Sequence, residues 1–279
     1  MKQPLTQDLI QTFYQELADK SFLTPYLTKL LTAKFYYTLA QQHITIHFIP
    51  TRKLSLKKMK VVLARLLSIS EELYIQQPYV YWILPCKIKR VFPAPGTPIS
   101  QEHINGGYTY KSGNTIYIYR EEECPKVMIH ELLHHSRLDT PVPDDPKLYK
   151  RFKIHPDTVL RPNEAIIEAW ALVCHLKQLP EDFETLLQKE LEWSLYLCKK
   201  LTKQPTPWYE ETHAYSYVRL KTCILFFFPE FLKLKIPYEP KQVLAFFTKY
   251  NIHPDFLAAI QNASDFKTNS FRLTLYGDW

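Results

Sequence analysis

Three histidines and one glutamate fall within six positions of an otherwise apolar stretch, KVMIHELLHH, from Lys126 to His135. On a helix, residues four apart lie on one face. His130 and His134 therefore offer two imidazole nitrogens to a common point, and Glu131 projects beside them, free to hold a metal-bound water without joining the coordination shell. An H-E-x-x-H pattern supplies two zinc ligands and a general base. The competing reading is a core helix, in which buried polar atoms at His130, Glu131 and His134 of VMIHELLH would each need a partner. A divalent cation meets that need in one step.

A catalytic zinc takes three protein ligands and keeps a fourth position for water. The extension H-x-x-G-x-x-H is absent, because Arg137 stands in the glycine slot and Thr140 in the last histidine slot. Downstream, RPNEAIIEAWALVCH offers Glu164 as a third ligand. Glu168, one helical turn on, could accept the remaining ring N–H of a ligand histidine. His155, Asp144 and Asp145 compete for the third place.

HELLH followed by NEAIIE resembles the gluzincin group of zinc metallopeptidases. The resemblance implies His130, His134 and Glu164 as ligands of one Zn2+, Glu131 as base and Glu168 in a supporting role, where aspartate is more usual. In succession, INGGYT, IYIYREEE and KVMIHELLHH also look like uncharacterised metallopeptidase-like proteins of large cytoplasmic DNA viruses, over roughly Tyr79 to Ala171. That likeness implies a viral or virion-associated protease, acting on a peptide or protein substrate and associating with other virion proteins.

The elements that must position these residues can be read from periodicity and caps. Thr6 caps a helix predicted to run to about Asp19, and Thr24 with Pro25 starts a second, predicted to end near Gln42. HITIHFI alternates as a strand, Ser55 to Leu73 reads as a helix, and YVYWIL (Tyr79 to Leu84) and KIKRVF (Lys87 to Phe92) read as strands parted by Pro85. GGYTYKSGNTIYIYR reads as a hairpin turning at Lys111 to Asn114. From His175 onward the pattern is helical. The expected fold is α+β: a zincin-like catalytic lobe over residues 1–175, with a mostly antiparallel sheet and an active-site helix, then a helical C-terminal lobe over 176–279.

Substrate handling can be assigned to fewer residues. Gly106 and Gly107, with Tyr108 after them, would let a substrate backbone approach along a sheet edge. A bulge or tight turn before the hairpin explains the glycines equally well. In ETHAYSYVRLK, His213 and Tyr217 are four apart, as are Tyr215 and Arg219. Tyr217 or His213 could donate to a developing oxyanion, and Arg219 could recognise a substrate carboxylate.

Composition excludes other classes. The 279 residues carry a net charge of +7, and the densest basic run, Arg52 to Arg65, has helical spacing and no interleaved aromatics to stack bases, so nucleic acid is not an expected partner. Five scattered cysteines without a C-x-x-C pair argue for reduced thiols in a cytosol-like space, which the viral resemblance implies is host cytoplasm or virion. The first residues lack the apolar core of a secretory signal, and no window is apolar enough to suggest a membrane span. Cys124 is flanked by three acids that blunt a thiolate. With five glycines there is no G-x-S-x-G, phosphate loop or dinucleotide fingerprint. The expected function is a zinc metallopeptidase. The alternative is a non-enzymatic structural or virion-associated protein that keeps the fold and uses the metal as a staple.

Overall fold

The hydroxyl of Thr6 accepts a hydrogen bond from the Leu9 amide and starts the first helix as its sequence predicts. The computed structural model describes residues 1–94, 96–143, 145–204 and 206–277. In chain order, strand β1 (Lys2–Pro4) precedes α1 (Gln7–Glu16), a 3-10 turn (Ser21–Leu23), α2 (Thr24–Leu30), β2 (Phe35–Gln41), β3 (Ile44–Phe48), α3 (Leu56–Glu72) and β4 (Tyr79–Cys86). There follow α4 (Gln101–Ile104), β5 (Gly107–Thr109), β6 (Thr115–Arg120) and α5 (Cys124–Leu133). The remainder is helical: α6 (Pro146–Phe152), α7 (Pro162–Leu176), α8 (Phe183–Leu201), a π-helical turn (Tyr215–Leu220) continuing into α9 (Lys221–Phe226), then α10 (Phe228–Phe231), α11 (Pro240–Tyr250) and α12 (Pro254–Gln261). None of the described helices is long and apolar enough to cross a membrane.

The architecture is mixed α/β. Among the described residues, six strands form one open sheet in the order β1-β2-β3-β4-β6-β5. The outer pairs β1/β2, β2/β3 and β5/β6 are antiparallel, and β4 runs parallel to both β3 and β6 at the centre. By contacts the chain divides into two compact units, one holding residues 1–89 and 105–136 with Gly277, the other residues 90–104 and 137–276. The division expected at 175/176 is therefore displaced. The reason lies in α7, which is apolar on nearly every face and buries Ala165, Ile166, Ile167, Ala169, Ala171 and Leu172 among the later helices.

In the first unit the sheet is covered on both faces. Ile44, Ile46 and Phe48 of β3, Tyr79, Tyr81 and Ile83 of β4, and Ile116 and Ile118 of β6 alternate onto the buried side that α3 and α5 cover. Trp82, Tyr108 and Tyr117 point the other way, into a cluster with Phe13 and Leu17 of the N-terminal segment and Leu27 of α2. Full burial of each aliphatic side chain contributes about 1.5–3 kcal/mol, which is what holds α5 in place.

Two local predictions fail. The second helix stops at Leu30, and residues predicted to continue it form β2, with Tyr37 opposite Phe48 and Leu39 opposite Ile46. FYYT is aromatic and β-branched, and cross-strand pairing outweighs a weak helical period. KIKRVF is not a strand; only Val91 bridges, to Ser270, while β4 itself continues through Pro85 to Cys86. The register against β6 shifts between Ile83 and Cys86, and such an irregularity is where a strand tolerates a residue lacking an N–H.

Candidate functional site

α5 begins directly after β6. Glu123 takes a left-handed conformation (φ 58°) that turns the chain from strand to helix, Cys124 and Pro125 open the helix, and its C-cap is His134. Every residue from Cys124 to Leu133 is buried, so His130 and Glu131 sit inside the protein while His134 is half-buried at its end. The two imidazoles stand edge to face at 5.0 Å, with their Nε2 atoms 3.2 Å apart. Two donors bound about 2.1 Å from one tetrahedral ion lie roughly 3.4 Å apart, so this spacing suits a shared cation.

The third histidine of the run turns elsewhere. His135 pairs with the Thr109 hydroxyl at 2.9 Å and packs 4.6 Å from the Tyr79 ring. Tyr81, which the sequence did not single out, lies under the site: its hydroxyl donates to the Met128 carbonyl at 3.3 Å. Burial, then the Glu131 charge, hold its ionisation well above the ordinary tyrosine range. Only the placement of α5 on β4 reveals this contact.

Glu164 lies in the first turn of α7, behind Pro162, and accepts a hydrogen bond from the Tyr217 hydroxyl at 3.2 Å. Glu168 is buried one turn further along the same helix. Asn163 donates to Asp139 at 2.9 Å and ties down the start of α7. Among the described residues, His130, His134 and Glu164 form a group that could hold a metal ion, one ligand atom from each lying within 4.8 Å of the others. The rival ligands have other work. Asp145 caps α6 through the Lys147 amide, and His155 Nδ1 accepts from the Asp157 amide in its own loop. Asp144 lies outside the described residues.

Tyr217 and His213 are near one another, with ring centroids 6.1 Å apart, but the segment that carries Tyr217 is a π-helical turn, which no α-helical spacing anticipates. Its start is held by Glu210, a buried carboxylate that accepts from the Tyr215 amide at 2.8 Å. Arg219 is engaged as a strut: Nε donates to Asn251 Oδ1 at 2.9 Å, a terminal nitrogen donates to the Asn251 carbonyl at 2.8 Å, and the guanidinium lies over Phe256. That arrangement gives the side chain a structural task.

Gly107 has an internal explanation. A Cβ there would meet the Tyr117 carbonyl at 2.7 Å, Ile118 Cδ1 at 2.8 Å and Val127 Cγ1 at 3.1 Å, so β6 and α5 themselves approach the bare backbone. Gly106 precedes β5, and its carbonyl accepts from the Tyr119 and Arg120 amides. Tyr108 stacks on Tyr117 and donates to Glu16 at 2.9 Å, on the face away from α5. Still, β5 is an edge strand, the position at which an extended chain can add. Gly107→Ala is expected to destabilise the protein by about 1–3 kcal/mol through overpacking. Thermal unfolding beside the wild type measures it, and an unchanged midpoint would refute the close approach.

Burial pushes the Glu210 carboxyl up to about 8, with the Tyr215 amide among the groups opposing it. It pushes Glu190, in α8, up to about 7 against hydrogen bonds from Thr274 and the following backbone. Each folded-state value lies above the ordinary 4.5, so between them the native state holds a proton that the unfolded chain has lost. The stability these groups supply is intact at low pH and falls as pH rises through that window, by at most about 1.4 kcal/mol per pH unit and carboxyl. Glu210→Gln is expected to flatten the decline between about pH 5 and 8, with urea denaturation as the measurement. Equal slopes in the two proteins would contradict a buried proton at this position.

No family model, curated protein or solved structure matches this chain.

Proposed function

We propose that this protein is a zinc-dependent peptidase of gluzincin type, with a zincin-like lobe around α5 and one Zn2+ held by His130, His134 and Glu164. One observation carries the reading: the donor atoms of two imidazoles and one carboxylate from separate helices cluster within 4.8 Å. Two nitrogens and one oxygen are the donor set of a catalytic zinc site, which leaves a position for water. When bound, zinc lowers the pKa of that water to about 7 and polarises a scissile carbonyl.

The remaining roles fall to the chain's own side chains. Glu131, next to His130 on a rigid buried helix, takes the proton of the attacking water and passes it to the leaving amine. A site that closed its coordination with side chains alone would have no use for this carboxylate. Tyr217, whose hydroxyl donates to Glu164, orients that ligand, and in the reaction its one proton would turn from the carboxylate to the oxyanion as it forms, with His213 beside it. Glu168 would steady a ligand histidine from the next turn of α7. An extended peptide adding along β5 at Gly106 and Gly107 supplies the substrate geometry.

The test is hydrolysis of a peptide library by the purified protein. Cleavage that disappears on chelation and returns with zinc is expected. A zinc-loaded protein that cleaves no member of the library rejects the proposal in favour of a structural role for the metal, such as a staple in a virion component.

A further inference from the structure

We propose that the carboxyl ends of the parallel strands in the first unit form a second binding site, for a small organic anion with an apolar body. In open sheets with parallel strands, ligands settle in the crevice beyond the strands' carboxyl ends. Here β3, β4 and β6 are adjacent and parallel, and the segments leaving them line two adjoining hollows: Ile49, Pro50 and Thr51 after β3, Lys87 after β4, Glu121 and Glu122 after β6.

The larger hollow has a volume of about 470 Å³, inside the roughly 300–1,000 Å³ typical of small-molecule sites. Tyr26 and Leu30 of α2 form one wall, and Ile49, Pro85 and Cys86 the other. Burial raises the Cys86 thiol to about 12, so this wall stays uncharged. The smaller hollow, about 240 Å³, shares Lys87 and adds Arg52, Lys53 and Lys89.

Charge decides what kind of head group fits. Two carboxylates border the smaller hollow, Glu121 accepting from the Thr51 hydroxyl and Glu122 facing Lys89 at 3.7 Å, and the cations Arg52, Lys53, Lys87 and Lys89 outnumber them. Among the described residues Lys29, Arg52 and Lys87 have no ion pair, and all three border the hollows. Unneutralised cations around a concave apolar space recognise a ligand with a ring or chain to bury and a phosphate, sulfonate or carboxylate to present. The site lies at the start of α5, roughly 16 Å of helix from His134, so it stands or falls apart from the metal reading.

The test titrates the 279-residue chain with 8-anilinonaphthalene-1-sulfonate, an aromatic body bearing one anionic group, followed by fluorescence. Saturable one-site binding is expected, displaced by phenyl phosphate and far less by inorganic phosphate at equal concentration. Lys87→Glu and Arg52→Glu, both at exposed positions, should each weaken it about tenfold, the loss of one charge-assisted contact. Leu30→Trp, which fills the larger hollow, should abolish it. The proposal is overturned by binding that does not saturate, by binding indifferent to the charge reversals, or by inorganic phosphate competing as well as phenyl phosphate. The charge reversals keep the test decisive even where Leu30→Trp disturbs packing of α2.

Discussion

Glu131→Gln is expected to leave zinc content unchanged and to reduce peptide cleavage by a factor of at least ~10²–10⁴, the range of a lost general base. Glutamine has the same shape and fits the same buried place on α5, next to the fully buried Leu132, but it cannot take a proton from water. Because Glu131 neighbours the ligands without belonging to the donor cluster, the substitution separates binding from chemistry. Metal analysis together with cleavage rates on the best library peptide measures both halves. A zinc-replete variant that still cleaves at the wild-type rate removes Glu131 from the role of base. Lost zinc would instead make it a ligand.

Glu164→Ala should weaken zinc binding by more than the ~10–100-fold that follows loss of a supporting group, since it deletes one of three direct donors. Glu168→Ala, one turn away, should fall within that smaller range. The comparison is made by competition against a chelating dye, and equal effects of the two substitutions would refute the assignment of Glu164 as ligand. The first variant also strips the Tyr217 hydroxyl of its acceptor. Losing a hydrogen bond to a carboxylate costs about 1.5–3 kcal/mol, so a stability loss shared with Tyr217→Phe belongs to that bond, and the zinc deficit belongs to the carboxylate.

Much of the candidate site and part of the fold were legible before any coordinates, because they depend on neighbours in the chain. A cap acts within one turn, so Thr6 and Ser55 marked their helices. Alternation has a period of two, so Ile44, Ile46 and Phe48 declared a strand, and the four-residue interval of His130 and His134 placed both rings on one face of a helix. The carboxylate at Glu164 was named among several rivals, and only the fold sent Asp145 to a helix cap and His155 to its own loop.

Elsewhere distant partners overruled local preference. Residues 35–41 became a strand because β3 offered pairing, which no window of sequence contains. Gly107 met β6 and α5, so its missing side chain answers to packing from residues ten and twenty positions away. The π-helical turn under Tyr217 depends on a buried carboxylate at Glu210 accepting a backbone amide, and α7 joined the C-terminal helices because an almost wholly apolar cylinder must be surrounded. Chemistry written in adjacent residues is carried by short-range geometry. Burial, register and the choice among equivalent donors are set by free energies summed over the whole chain, and those exist only once it has folded.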